Sequence, residues 1–219
     1  MSELPSSKDC YKIRQTCCEM LADRGYILKN DAFASFQELS VQPFFEFEQK
    51  YASQPTNWVL YGEHLTRVSK NTSDKTPESI YLQCIPDLKS QTLDDVLNQM
   101  REKLYDRIII VSFTGLPKKP LQEKLDIQSN ASKVIAEVFS HDRLIFNITK
   151  HFLVPKHTLL TETEKLQILK TYKVSEDQLP VIEKTDPVAR YLGLDQRNVV
   201  MITRISENSG KYINFRICK

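Results

Sequence analysis

Four consecutive β-branched residues constrain the fold of this chain more than any other feature of its sequence. Residues 108–111 read Ile-Ile-Ile-Val and lie between Arg107 and Phe113. A continuous apolar run of this kind is typical of a strand that is buried on both faces of a sheet. The run therefore predicts a strand with other elements packed against both of its sides.

Further helices and strands are predicted around this strand from apolar periodicity and from the positions of glycine and proline. The predicted helices are residues 9–24, which end at Gly25, residues 36–51, whose main part begins at Pro43, a helix that begins at Thr92, and residues 131–139. The other predicted strands are residues 26–28, 58–65, 80–85 and 144–149, and the polar residues 69–77 are expected to form an exposed loop. Strands that alternate with helices between residues 58 and 149 predict an α/β sandwich.

Helix start signals are clear after residue 147. Thr161 and Glu164 have the spacing of a capping box, in which each side chain accepts a hydrogen bond from the backbone of the other residue. Leu166, Leu169 and Tyr172 follow at helical spacing. The pattern predicts a helix with these three side chains on one apolar face.

A second, short helix is predicted over residues 187–192. Asp186 is a favourable N-cap, and Pro187 occupies the first helical position, where no N–H is needed. Gly193 suits the left-handed conformation that ends many helices. The turn that follows, residues 195–198, contains no glycine, so Asn198 is expected to adopt the positive φ there.

A β-hairpin is predicted next, with strands at residues 199–205 and 211–217 and a turn at residues 207–210. Alternation places one set of side chains on each face of the second strand. Because the apolar set is expected to fill the core, the polar set is predicted to be free to meet a partner. The apolar set is Ile213, Phe215 and Ile217, and the polar set is Tyr212, Asn214 and Arg216.

Charge and cysteine content limit the class of protein. The net charge is +2, and residues 147–219 carry 12 Lys/Arg against 8 Asp/Glu, which is weaker than the basic stripe of a protein that binds DNA alone. No uncharged apolar run reaches the roughly eighteen residues of a membrane helix, and no signal region is expected at the N-terminus. Five cysteines without a C-x-x-C pair favour a reducing, intracellular compartment.

Three short phrases resemble one known family. They are the heptapeptide 151–157 (His-Phe-Leu-Val-Pro-Lys-His), residues 186–193 (Asp-Pro-Val-Ala-Arg-Tyr-Leu-Gly), and residues 206–212 before Arg216. Together they resemble the fifth-largest subunit of the eukaryotic nuclear DNA-directed RNA polymerases, and the C-terminal part alone resembles its archaeal counterpart, the H subunit of archaeal RNA polymerase. The tetrapeptide 23–26 (Asp-Arg-Gly-Tyr) adds a further point of resemblance, far from the other three in sequence. The glycine-free turn at 195–198 indicates a divergent member or a paralogue.

The resemblance implies an α+β protein with two domains. Residues 1–147 would form a nuclease-like but non-catalytic α/β domain that helps to form the jaw around downstream DNA. Residues 148–219 would form a small mixed α/β assembly domain that docks on the largest polymerase subunit. The chain is then expected to act in the nucleus, to have no catalytic residue and to need neither a metal nor another cofactor.

Two groups of residues are predicted to contact partners. Lys118 and Lys119 lie between two prolines in the loop 114–120, where rigid flanks would hold the charges outward toward phosphate. The resemblance places this loop near the DNA ahead of the polymerase. The second group combines arginine and tyrosine, which are favoured anchors of protein interfaces, with one asparagine. Its members are Arg190, Tyr191, Arg204, Tyr212, Asn214 and Arg216.

Other functions remain open at this point. Asp87 and Lys89 follow a predicted strand, and with Glu63 they could form the carboxylate–lysine site of a metal-dependent nuclease. A free-standing DNA-binding transcription factor is a third hypothesis. His151 and His157 are a weak metal signal, because their spacing is not that of a helical pair and no cysteine lies near them in sequence.

Overall fold

The protein is described by a computed structural model that divides it into two compact units, Met1–Phe146 and Asn147–Lys219. The residues that the structure describes are 6–28, 35–51, 53–56, 58–69, 76–86, 94–96, 98, 105–119, 123, 125, 127, 134–206 and 210–219. The units contain helices and mixed sheets, which confirms the predicted α+β class. None of the described helices is long and apolar enough to span a membrane.

The first unit is built on a mixed sheet whose strands lie in the order β1-β2-β3-β4-β5. The pairs β1–β2 and β2–β3 are antiparallel, whereas β4 is parallel to both β3 and β5. Its elements are α1 (Ser7–Asp23), β1 (Tyr26–Leu28), α2 (Phe36–Ser40), α3 (Phe44–Tyr51), β2 (Val59–Val68), β3 (Pro77–Ile85), β4 (Arg107–Ser112) and β5 (Ile135–Ser140).

The β-branched run forms the interior strand β4, which lies between β3 and β5, and all six of its residues are buried. The prediction that this strand is covered on both faces is confirmed. Burying one such aliphatic side chain contributes about 1.5–3 kcal/mol. Ile108 and Ile110 point into a cluster with Tyr81, Ile85, Val96, Leu125, Val134 and Val138.

Helix α1 covers the opposite face of the sheet. Burial raises the pKa of the Cys84 thiol on β3, and the neighbouring thiols of Cys17 and Cys10 on α1 raise it further. The helix begins where the Ser6 side chain accepts a hydrogen bond from Asp9 N, and it is followed by Gly25 at φ +87°. The predicted helix and its glycine stop are confirmed.

Charges of alternating sign, of which Glu137 is half-buried and the others are buried, tie α1 to the sheet. The Arg24 guanidinium makes two hydrogen bonds to the Glu137 carboxylate, at 3.0 and 2.8 Å. Arg107 Nη1 lies 3.6 Å from Glu137, and Arg107 Nε donates to Glu78 at 2.7 Å. The Tyr26 hydroxyl group also donates a hydrogen bond to the Glu78 carboxylate. The four charged residues therefore join the end of α1 to β3, β4 and β5.

His64 fixes the turn between α1 and β1 from the neighbouring strand. Its Nε2 donates to the carbonyl of Arg24 at 2.9 Å, and its Nδ1 accepts from Thr66 N and Arg67 N at 3.1 and 3.0 Å. A Cβ at Gly25 would lie 3.2 Å from His64 Nε2. Burial is the main reason why the pKa of His64 is below its ordinary value. The ring is therefore neutral and carries its proton on Nε2.

Several predicted elements of the first unit are wrong. Residues 135–140 form β5 instead of a helix, because their β-branched and aromatic side chains pair in parallel with the buried β4. The predicted strand at 144–149 is replaced by two 3-10 turns, His141–Leu144 and Ile148–Lys150, the second capped by Asn147. The predicted helix 36–51 is interrupted before Phe44, since α2 ends at Ser40.

The predicted exposed loop 69–77 also needs correction. Ser69 is buried and donates to the Asp106 carboxylate, which in turn accepts from Ser79 N at 2.9 Å. Pro77 is the first residue of β3. Residues 70–75 and most of the helix predicted from Thr92 lie outside the described residues, although residues 94–96 are helical.

The second unit contains a four-stranded sheet of order β6-β8-β9-β7. The pairs β6–β8 and β8–β9 are antiparallel, and β7 pairs with β9 in parallel. Its elements are β6 (Lys156–Leu159), α4 (Glu162–Tyr172), β7 (Val181–Ile182), α5 (Pro187–Tyr191), β8 (Val199–Ser206) and β9 (Gly210–Cys218). The predicted turn residues 207–209 lie outside the described residues.

The start signals of both helices of the second unit are confirmed, but the apolar residues predicted on one face of α4 are only partly covered, since Leu169 is half-buried. The Thr161–Glu164 capping box and the Asp186 N-cap are present. Leu166 and Tyr172 are exposed, whereas Lys165 is the buried residue of α4. Amphipathic spacing does not show which side chains a small sheet can cover.

Lys165 is buried because its ammonium group has partners. Its Nζ lies 3.0 Å from Glu176 Oε1 and donates to the carbonyl of Arg197 at 3.0 Å. Arg197 also carries the positive φ, at +70°, that had been expected at Asn198. The Asn198 side chain instead accepts from Asp195 N at 2.8 Å. A side-chain hydrogen bond across the turn therefore replaces the expected backbone role of asparagine.

Replacing Glu137 by glutamine tests the buried charges. Glu137→Gln removes the negative charge between Arg24 and Arg107, and we expect it to lower the free energy of unfolding by about 3 kcal/mol or more, as for other broken buried pairs. Urea denaturation followed by circular dichroism measures the change. The exposed Glu48→Gln is the control and should stay within about 0.5 kcal/mol of the unmodified chain. Equal stability of the two variants would show that the charge network contributes nothing.

His64 predicts a pH dependence of stability. Because the pKa of His64 in the folded protein is below the ordinary value of 6.5, the unfolded chain binds the proton more readily. The contribution of neutral His64 is therefore complete above pH 6.5 and is lost as the pH falls toward the folded pKa. Urea midpoints between pH 7.5 and 5 should fall more steeply for the unmodified chain than for His64→Gln. Parallel pH profiles would contradict this assignment.

Candidate partner-binding surface

The predicted partner face lies on the β8–β9 ladder. Residues directly opposite each other share a face, and the register pairs Val200 with Arg216, Ile202 with Asn214, and Arg204 with Tyr212. The face that carries the polar set of β9 therefore also carries Val200 and Ile202, and both of these are buried. This face is covered at the Val200 end of the ladder and open at the Arg204 end.

The opposite face shows the same gradient along the strands. Ile217 is buried and Phe215 is half-buried, but Ile213 is 43% exposed and Ile205 on the neighbouring strand is 95% exposed. The prediction that Ile213 fills the core is therefore wrong. On both faces, the buried positions lie at the inner end of the hairpin and the exposed positions lie toward its turn.

Tyr191 does not belong to an exposed surface. It is only 3% exposed, and its hydroxyl oxygen accepts a hydrogen bond from Asn147 Nδ2 at 2.8 Å. The large ring and its satisfied hydroxyl make it a core residue. The prediction of Tyr191 as an interface residue is corrected for this reason.

The other predicted interface residues differ in their exposure. Arg204 is exposed and Tyr212 is 52% exposed, and the two lie opposite each other across the ladder. Asn214 and Arg216 are half-buried; the Asn214 side-chain carbonyl accepts from Phe215 N, and Arg216 Nη1 donates to Val181 O at 3.2 Å. Arg190 is half-buried at the end of α5, on a different element from the hairpin.

A turn within the heptapeptide 151–157 presents two large apolar side chains. Phe152 is 87% exposed and Leu153 is 71% exposed. His151 holds this turn, because its carbonyl accepts from Val154 N at 2.9 Å, its Nδ1 accepts from Leu153 N at 3.2 Å, and its ring stacks on Phe152. The sequence signal was an apolar pair beside a histidine, which does not by itself distinguish a core segment from an exposed turn.

The predicted phosphate-contacting lysines lie at the surface. Lys118 and Lys119 are both exposed, and Gly115 at φ +92° turns the loop that leads to them. Leu116 in the same loop is 48% exposed. Pro120, the second flanking proline, lies outside the described residues.

The weaker candidates are not brought together into a site among the described residues. Asp87 and Lys89 lie outside them, and Glu63 is half-buried on β2. His157 Nδ1 lies 2.7 Å from the carbonyl of Pro155, so both histidines of the heptapeptide make local contacts. Within the described part of the chain, no three metal-binding side chains form a group. All five cysteines are free thiols and buried.

Similarity to known proteins covers both units. Residues 146–218 match the family described as RNA polymerase Rpb5, C-terminal domain. The chain is 37% identical over 213 residues to the DNA-directed RNA polymerases I, II, and III subunit rpabc1 of Dictyostelium discoideum, which covers 94% of this chain and 95% of that relative. It is 35% and 34% identical over 208 residues to the RPABC1 subunits of Caenorhabditis elegans and Caenorhabditis briggsae, with 94% of each chain covered.

These relatives agree with the resemblance that the three phrases and the tetrapeptide 23–26 indicated. The expected similarity to an RNA polymerase subunit is confirmed by the same relatives. Because the identity exceeds 30% over 94% of the sequence, the chain belongs to the Rpb5 (RPABC1) family of RNA polymerase subunits.

Proposed function

We propose that this chain is a structural subunit of a nuclear DNA-directed RNA polymerase. In this proposal residues 147–219 dock on the largest polymerase subunit, and the first unit helps to form the jaw around downstream DNA. The observation that carries the proposal is the 35–37% identity, over 94% of the chain, to subunits named for RNA polymerases I, II and III. The nuclear location follows from that assignment.

The surface of the second unit supports a docking role. Its exposed large side chains include Phe152, Leu153 and Ile205, together with the Arg204–Tyr212 pair. Aromatic and arginine side chains dominate the binding energy of protein interfaces. Ile205 lies on the face of the hairpin opposite to the Arg204–Tyr212 pair, so each face of the hairpin offers a large exposed side chain to a partner.

The surface of the first unit supports local contact with DNA. Lys118 and Lys119 are exposed on one loop, and lysine is a point charge for phosphate. Contacts of this kind position a protein on the duplex but read no sequence. The weak net charge of +2 fits a subunit that touches DNA only within a larger complex.

Removing the second unit tests the docking role. A tagged chain that ends at Phe146 should lose co-purification with the largest polymerase subunit, whereas the full chain should retain it. Quantitative mass spectrometry of the purified complex measures the difference. Recovery of the largest subunit with the truncated chain would contradict the role of residues 147–219.

A double substitution tests the exposed end of the hairpin. Arg204→Ala with Tyr212→Ala should lower the recovery of polymerase about tenfold, because removing an anchor typically costs more than 1 kcal/mol. Lys170→Ala, at an exposed position of α4, is the control and should have no effect. Unchanged recovery for the double variant would remove this face from the docking surface.

The lysine loop is tested by the salt dependence of DNA binding. In the assembled polymerase, Lys118→Ala with Lys119→Ala should reduce the slope of log affinity against log salt by about 0.9 for each phosphate that is no longer neutralised. Filter binding to a downstream duplex between 50 and about 200 mM salt measures the slope. Lys8→Ala with Lys12→Ala, at exposed positions of α1, is the matched control. Identical slopes for both double variants would exclude the loop from DNA contact.

A further inference from the structure

The outer half of the β8–β9 hairpin extends beyond the strands that flank it. β6 pairs with β8 only from Val200 to Thr203, and β7 pairs with β9 only at Ile217 and Cys218. Residues 204–206 and 210–213 are called the hairpin arm here. Within the described part of the chain, the two sides of this arm pair only with each other.

Two hydrogen bonds at the inner end of β9 give the direction of its main-chain groups. Ile217 N donates to Pro180 O at 2.9 Å, toward β7, and Cys218 N donates to Asn198 O at 2.8 Å, on the opposite edge. Successive residues of a strand direct their N–H and C=O groups to alternate edges. The odd-numbered residues of β9 therefore point toward the edge that β7 occupies.

This alternation leaves an open edge on the arm. Lys211 and Ile213 direct their main-chain groups to it, and no described group forms a hydrogen bond with them there. The next group along the edge is already satisfied, because Phe215 N donates to Asn214 Oδ1 at 2.8 Å. Along this edge, β7 pairs with Ile217 and Cys218, and the Asn214 side chain satisfies Phe215 N. The open segment therefore consists of Lys211 and Ile213.

An extended peptide is the ligand that fits such an edge. The free N–H and C=O groups lie on alternate residues, so they recur about every 6.8 Å along the edge. The N–H and C=O groups along one edge of another extended strand have the same spacing, so the two can pair. Ile213 and Ile205 lie on one face of the arm and are 43% and 95% exposed, so an added strand would cover apolar surface as well as pair main-chain groups.

The charge of the arm selects among extended peptides. Arg204 and Lys211 are the charged side chains among its described residues, and both are cations. A strand with a carboxylate beside Lys211 is favoured, because opposite charges that face each other across neighbouring strands attract. Edge lysines also discourage pairing of identical edges, so a second copy of this chain is a poorer partner.

We propose that the open edge at Lys211 and Ile213 accepts an extended segment of another polymerase subunit as a further strand of this sheet, with an apolar side chain beside Ile213 and a carboxylate beside Lys211. This inference rests on the proposed function as a polymerase subunit. It assigns to the edge a binding mode that is separate from the side-chain contacts of Arg204 and Tyr212.

Proline substitution separates the edge from the rest of the hairpin. Proline is tolerated where a strand N–H points away from its own ladder, so Lys211→Pro and Ile213→Pro should each preserve the hairpin and remove one donor for the added strand. In tagged full chains, each should lower recovery of polymerase about tenfold, as expected when an interface loses a hydrogen bond and its neighbouring contacts. Lys211→Ala, which keeps the N–H, should lower recovery only about two- to threefold.

Hydrogen exchange gives a readout that needs no substitution. In the unmodified complex, the amides of Lys211 and Ile213 should exchange at least about tenfold more slowly than in the isolated chain, whereas Tyr212 and Asn214 are already paired with β8 and should change less. This comparison decides the question if a proline variant melts at a lower temperature than the unmodified chain.

The outcomes distinguish the inference from the function on which it rests. If the unmodified chain recovers no polymerase, the proposed function fails. If it recovers polymerase while both proline variants do so equally well, or if the Lys211 and Ile213 amides gain no protection, the proposed strand addition is wrong. A homodimer that the proline variants dissociate, with unchanged polymerase recovery, would assign the edge to a second copy of the chain instead.

Discussion

The first unit depends on charges of alternating sign that are placed where α1 meets the sheet. Glu137 lies between Arg24 and Arg107, and Glu78 lies between Arg107 and Arg67, which is 3.9 Å away. Each carboxylate is thereby shared by two guanidinium groups. Burying one such ion alone would be costly, and it is the sharing that offsets the desolvation. Each ion pair forms only when its two elements are in place. The position of α1, with the tetrapeptide 23–26 at its end, therefore depends on the correct pairing of β3, β4 and β5.

The second unit is organised differently, because its sheet is covered at one end only. Val199, Val200 and Ile217 are buried at the inner end of the hairpin, while Ile205 is almost fully exposed at the outer end. Intramolecular packing stabilises the inner half. In the outer half, Ile205 and Ile213 are exposed beside the cations Arg204 and Lys211, and exposed apolar groups of this kind support the docking role proposed above.

Local signals in the sequence predicted local structure well. The capping box, the Asp186-Pro187 start and the β-branched run of β4 each depend on a few neighbouring residues, and each was confirmed. Tertiary context decided the rest. Residues 135–140 are a strand because they lie beside β4, and Ile213 is exposed because it lies toward the turn of the hairpin, where the face of the sheet is uncovered. Alternation correctly placed Tyr212, Asn214 and Arg216 on one face, but it could not show how far along the strands that face is covered.

The order of strands in the first sheet has a consequence for the kinetics of folding. β4 is joined in parallel to both neighbours, so each of its pairings closes a long loop, and the Arg24–Glu137 bond connects residues 113 positions apart. The chain loses conformational entropy when a long loop closes, before the stabilising contacts between the distant strands have formed. This loss slows the folding of sheets whose strands are distant in sequence. In the second unit, β8 and β9 are neighbours in sequence and form the largest part of its ladder. We therefore expect the hairpin to form early in its unit, whereas the first sheet assembles slowly and as a whole.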